Sequence, residues 1–164
     1  MDELRQRKRL RLETWDYSSA GSYFVTFCVK NMACVLGEVC VRDGVLDVPE
    51  VKLSDFGMIV RNQILEMEQI YQDLTIETFC VMPNHVHLLI TLRGGTSGTP
   101  SRTNETIPAF VSTLKRFTNQ KCEQKLWHRS YYDHIIRSDS DYRRIWHYID
   151  INPQKWEEDP YYKG

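Results

Sequence analysis

Long apolar runs are missing from this chain: none approaches the roughly 20 residues that span a bilayer. A membrane partner is therefore not expected. The opening stretch, MDELRQRKRLRLETWDY, has no apolar segment of the kind a signal peptide carries, so a cytoplasmic protein is expected. Cys28, Cys34, Cys40, Cys80 and Cys122 are an odd number and form no C-x-x-C pair, which fits reduced thiols in that compartment. The glycine-rich stretch RGGTSGTPSRTNET, residues 93–106, lacks the G-K-[ST] ending of a phosphate-cradling loop. It reads as a flexible connector. No internal repeats occur. What is present is ordinary for a globular protein: 41% hydrophobic and 26% charged residues. The 164 residues suit one domain, 1–164, with a proper core.

Net charge is also nearly absent, at −1, which argues against a nucleic-acid partner until the charges are located. Residues 38–77 hold nine acids and three bases, whereas residues 101–148 hold nine bases and five acids. The first fifteen residues add five bases against three acids, so residues 1–20 read as a basic N-terminal arm. A polarised molecule can bind phosphate on one side despite a neutral total. Lys115, Arg116, Lys121, Arg129, Arg143 and Arg144 are the expected phosphate contacts. Tyr131 and Tyr132 can stack on unpaired bases, although strand alternation leaves at most one available. His128 and His134 lie in the same basic segment, where surface or core roles are the commoner ones.

The periodicities outline an α+β chain. SYFVTFCVK, residues 22–30, is a buried first strand. VLGEVCVRDGVLDV sets Asp43-Gly44 between apolar runs, a hairpin signal. Phe56, Ile59, Val60, Ile64 and Met67 recur at helical spacing between Leu53 and Tyr71. TIETFCVMP and HVHLLITL are two strands divided by Pro83-Asn84. A helix follows from about Ile107 to Gln124, with Phe110, Leu114 and Phe117 on one face. A last helix, residues 139–152, starts at a capping box of Ser138 and Asp141 and ends before Pro153. This order suggests an antiparallel sheet with helices on one face, in a ferredoxin-like arrangement.

Two constellations carry chemistry. In VMPNHVHLLI, residues 81–90, His85 and His87 stand at i and i+2 of a strand, so both rings project from one face while Val86 points away. A His-x-His pair alone is a weak signal, since it also occurs as a polar patch on a half-exposed sheet. On the terminal helix, Tyr142, Ile145, Trp146 and Ile149 form an apolar stripe at i, i+3, i+4 and i+7. Tyr148 falls on its flank, where a hydroxyl can border a cleft, and Asn152 follows one turn later. Asn152 can be a metal ligand or a helix terminator, the residue before a proline being pushed out of the helical region. Two neutral imidazoles and an amide oxygen can together hold a divalent cation, Mg²⁺ or Mn²⁺, with positions left for a phosphate oxygen.

The blocks DYSSAGSYFVTFCVKNMACVLGEV, VMPNHVHLLI and LWHRSYYDHIIRSDSDYRRIWHYIDINPQKW together resemble the REP-associated branch of the HUH single-tyrosine transposases. The resemblance runs over most of the chain and implies an HUH nuclease-type fold. It implies cleavage and rejoining of single-stranded DNA near hairpins formed by repeated palindromes. His85 and His87 match the HUH pair, and Tyr148 in HYIDINP matches the nucleophile. Asn152 stands where related insertion-sequence enzymes carry a glutamine in the metal site. The expected partner is single-stranded or hairpin DNA, with the chain a monomer or homodimer. Two other readings stay open: a hairpin-binding or regulatory module with a vestigial site, and an unrelated metal hydrolase. Whether one chain supplies both imidazoles and phenol, or two subunits exchange helices, also stays open, as does what activates Tyr148.

Overall fold

A computed structural model describes residues 20–41, 48–93 and 106–163. The expected N-terminal arm (but for residue 20), the Asp43-Gly44 turn and most of the 93–106 connector lie outside them. Six strands and three helices follow in the order β1 (Gly21–Cys28), β2 (Gly37–Val41), β3 (Pro49–Leu53), α1 (Asp55–Ile70), β4 (Leu74–Val81), β5 (His85–Leu92), α2 (Ile107–Lys121), β6 (Tyr132–Ile136) and α3 (Asp139–Asp150). A 3-10 segment, Asn152–Glu158, follows. Among the described residues no helix is long and apolar enough to cross a membrane.

Strands pair in the order β4-β5-β1-β6, and β2 pairs with β3 in a separate two-stranded hairpin. All neighbours in the four-stranded sheet run antiparallel. With the hairpin set aside, the chain reads strand-helix-strand-strand-helix-strand, which is the ferredoxin-like order expected. Each helix starts where a hydroxyl satisfies an otherwise orphaned N–H. Ser54, Thr106 and Ser138 accept from the amides of Gly57, Ala109 and Asp141, each at 3.2 Å. A Cβ at Gly57 would run into the Leu36 carbonyl oxygen. That close approach seats the first turn of α1 against the chain entering β2.

The sheet is buried on both faces, which refines the expectation of helices on one face. Tyr23, Val25, Phe27, Val86, Leu88 and Ile90 face α1 and α2 and form the main core with Ile64, Met67, Phe110 and Leu114. Phe24 and Leu89 point the other way and pack on Ile145 and Ile149 of α3. The reason lies in β5, where residues 85–90 are buried whichever way they point. A strand apolar on both sides needs cover on both sides. By alternation His85 and His87 share the α3 face with Leu89.

A buried histidine pair facing a helix-borne tyrosine

The site is assembled from β1, β5, α3 and the 3-10 segment. His87 is paired across the sheet with Thr26 and His85 with Cys28. Both imidazoles are buried, and their Nε2 atoms lie 2.9 Å apart. Their Nδ1 atoms are engaged from behind. His85 Nδ1 lies 2.8 Å from Asn84 Oδ1, and His87 Nδ1 lies 2.6 Å from Thr26 Oγ1. The Asn84 amide is oriented by Nδ2, which donates to the carbonyls of Tyr161 at 2.8 Å and Met32 at 3.3 Å. Its oxygen therefore accepts, so His85 Nδ1 carries the proton and Nε2 presents a lone pair. Two facing lone pairs at 2.9 Å would repel. A proton on His87 Nε2 or a cation must sit between them. The Thr26 hydroxyl can donate or accept, so it serves His87 in either tautomer.

Burial holds both rings neutral. His85 is pushed down to about 4 by desolvation, with the nearby Asp159 carboxylate partly opposing. His87 lies well below its ordinary value, through desolvation and then the neighbouring His85. Neutral imidazole is the form that binds metal.

The third member is Asp159, which sequence reasoning missed. Its Oδ2 stands 3.8 Å from His85 Nε2, and ligand atoms of His85, His87 and Asp159 all lie within 4.8 Å of one another. Asn152 is buried, donates from Nδ2 to Asp159 Oδ2 at 2.9 Å, and keeps Oδ1 buried with no hydrogen-bond partner. Asn152 follows the helix cap, Ile151, and opens the 3-10 segment. A buried orphan carbonyl oxygen is costly in an apolar setting. Two neutral imidazoles, a carboxylate and this oxygen form a donor set that fits a divalent cation.

Tyr148 meets this group within the same chain. Its hydroxyl is 3.5 Å from His87 Nε2 and 3.5 Å from Asp159 Oδ2. The phenol is raised to about 12 by burial, then by the charge of Asp159 and by Tyr161. Tyr161 itself lies over the His85 ring at 4.7 Å between centroids, and Phe24 stands edge-on to Tyr148 at 5.9 Å.

The basic residues are divided between the two faces. Lys115, Arg116 and Lys121 ride on α2, across the sheet from the histidines. The Lys115 amine donates to the carbonyls of His128 and Ser130, both at 2.9 Å, over the rings of Phe27 and Tyr131. Burial lowers it to about 8. Lys121 pairs with Glu66 at 2.8 Å, and Arg116 stacks on Phe117 at 4.8 Å. Arg129, Arg143 and Arg144 are exposed, the last two on α3. Tyr131 turns into the main core while Tyr132 is 46% exposed, as alternation requires. His134 pairs with Asp141 at 2.7 Å, and His128 holds Ser130 Oγ at 2.9 Å.

Paired imidazoles on a ferredoxin-like sheet, opposed by a tyrosine on a helix crossing that face, define a class of architecture rather than a single protein. No family model matches the chain. An uncharacterized protein of Haemophilus influenzae is 29% identical over 177 aligned positions, covering 97% of this chain and 94% of that one. A REP-associated tyrosine transposase of Escherichia coli is 30% identical over 139, covering 85% of this chain and 70% of its own length. The solved structure of a REP-associated tyrosine transposase bound to a REP hairpin has a TM-score of 0.62 at 21% identity, over 88% of this chain and 73% of that one. It shares the fold. The chain belongs to the REP-associated tyrosine transposases.

Proposed function

We propose that this protein cuts and rejoins single-stranded DNA beside a hairpin, through a covalent 5′-phosphotyrosine on Tyr148. The single observation that carries the reading is the convergence, within one chain, of the Tyr148 hydroxyl on His87 and Asp159 at 3.5 Å each. Family membership supports it, and the fold is shared with a relative solved on a REP hairpin.

His85 and His87 through Nε2, Asp159 through a carboxylate oxygen and Asn152 through Oδ1 would hold Mg²⁺ or Mn²⁺. When bound, that ion supplies Lewis-acid neutralisation of the phosphate's charge. The chain's own residues do the rest. Asn84 and Thr26 lock the two imidazoles from behind, so Nε2 of each stays aimed into the site. The phenol oxygen attacks phosphorus, and its proton passes to solvent. The bond from phosphorus to the 3′-oxygen breaks, and that oxygen leaves as a 3′-hydroxyl after taking up a proton. Rejoining is the reverse, with a 3′-hydroxyl attacking the phosphotyrosine and the phenol recovering its proton. The covalent link conserves the energy of the broken bond, so no nucleotide cofactor is needed. Exposed Arg144, in the wall of the cavity at Tyr148, is the expected phosphate contact at the site, with exposed Arg129 and Arg143 as further contacts along the strand. Arg116 and Lys121 would serve strand segments wrapping the far side, the Lys115 amine being taken up by the His128 and Ser130 carbonyls.

The test is a labelled hairpin oligonucleotide with single-stranded arms, incubated with Mg²⁺ or Mn²⁺ and run under denaturing conditions. A denaturant-resistant adduct is expected, lost in Tyr148→Phe and lost with chelator. A mobility shift without any adduct would mean a hairpin-binding module instead. Activity that survives Tyr148→Phe would mean a metal hydrolase of another kind.

A further inference from the structure

Opening onto His87 and the tyrosine lies a cavity of about 310 Å³ whose wall includes Phe24, His87, Tyr132, His134, Arg144 and Tyr148. Phe24 is its floor, 7% exposed. The rings of Tyr132 and Tyr148 both stand edge-on to Phe24, at 6.3 Å and 70° and at 5.9 Å and 86°. Tyr132 is the exposed member, with 46% of its surface open to solvent. The mouth is polar and tied together. Asp141 accepts from His134 Nε2 at 2.7 Å and from Arg144 Nη2 at 2.5 Å. Arg144 is held there by one of its nitrogens, while its side chain stays 65% exposed. A flat-walled aromatic recess with one cation at its mouth suits a planar heterocycle attached to a phosphate.

We infer that this recess receives one unpaired nucleobase of the DNA strand, next to the phosphate that is cut, with Tyr132 as its stacking face and Arg144 on the flanking phosphate. The inference rests on the strand-transfer reading above and adds to it a residue that selects the substrate. The volume is at the low end of small-ligand sites, roughly 300–1,000 Å³. It has room for one unstacked base lying against an aromatic wall. A base reaches such a recess only from single-stranded DNA or after leaving its stack. Continuous duplex is therefore disfavoured, because each of its bases would first have to leave the stack. Stacking on an aromatic ring tolerates every base, so selection here concerns pairing state. Placement follows from the walls: Tyr148 belongs both to the recess and to the reactive group, so a base lying in it puts its own phosphate against the phenol.

Hairpin oligonucleotides with single-stranded arms provide the test, with 2-aminopurine placed at each arm position in turn. Fluorescence is followed on mixing with the wild-type chain, Tyr132→Ala and Tyr132→Phe. Insertion changes the signal whether or not the strand is cut. One position flanking the cut is expected to respond strongly in wild type and Tyr132→Phe, and to lose that response in Tyr132→Ala. Adduct formation is followed in parallel with an abasic site at the same position. Loss of the base should slow the wild type by about five- to a hundredfold, the range for one stacked base. It should slow Tyr132→Ala hardly further. Equal 2-aminopurine responses in wild type and Tyr132→Ala would overturn the inference, as would an abasic site that costs both proteins the same. A Tyr132-dependent response with no adduct from the wild type would leave the recess standing and overturn strand transfer instead. Circular dichroism of Tyr132→Ala excludes misfolding, and the exposed ring makes its loss tolerable.

Discussion

Protonation of the histidine pair gives the sharpest physical test of the site, because it needs no DNA. His85 is buried and pushed down to about 4, against 6.5 in the unfolded chain. In the window between these values the unfolded chain binds a proton that the native chain refuses. Stability is therefore complete above pH 6.5 and falls as the pH drops through the window. At pH 5 the loss from His85 alone is about 2 kcal/mol. His87, also held well below its ordinary value by burial and by His85, adds loss of the same sign. The assay is urea unfolding in the presence of chelator at pH 8 and pH 5, for wild type and for the double variant His85→Gln/His87→Gln. The wild type should lose at least about 2 kcal/mol more between the two pH values than the variant does. Carboxylates shared by both proteins cancel in the comparison. Asp141, held down chiefly by His134 and Arg144, loses its contribution only at lower pH. Parallel profiles would refute the claim that this pair is buried and neutral.

Asp159→Asn should weaken binding of Mn²⁺ at least tenfold by calorimetry, since it removes the only formal negative charge from the proposed donor set. Asn84→Ala frees His85 Nδ1 and strands the Tyr161 and Met32 carbonyls; about 1–3 kcal/mol of stability should go in urea unfolding. The same change should lower metal affinity about 10- to 100-fold, because the His85 ring loses its orienting partner. Gly57→Ala should cost more than about 1 kcal/mol in a thermal melt, the new Cβ meeting backbone rather than a movable side chain.

Much of this was legible from spacing. Alternation placed His85 and His87 on one face, and the Ser138 cap fixed where α3 starts, which in turn set Tyr148 on the flank of its stripe. Periodicity gives the existence of an apolar stripe but not the surface that receives it. The continuous apolar run Leu88-Leu89-Ile90, which faces both ways, was the clue that the sheet is covered twice. Asp159 gave no signal: in KWEEDPYY it looks like one of three solvated acids. The 3-10 segment turns it inward, where Asn152 and the Tyr161 amide bind it. Lys115 shows the converse, since a helix-borne lysine beside an arginine reads as a phosphate contact from spacing alone. Here the loop from Trp127 to Ser130 closes over its amine, anchored by the Trp127 indole on Thr118 at 2.6 Å.

The separation of the two apolar clusters has a mechanical consequence. Helix α3 is fastened to the sheet chiefly by Ile145 and Ile149 against Phe24 and Leu89, worth roughly 3–6 kcal/mol for two buried side chains. The far side of the sheet is anchored by a much larger set of residues. Partial detachment of the tyrosine's helix is thus cheaper than melting the platform beneath it. If Tyr148 carries a DNA end, as proposed, that end could be carried away from the imidazoles and brought back to a different acceptor without the scaffold coming apart.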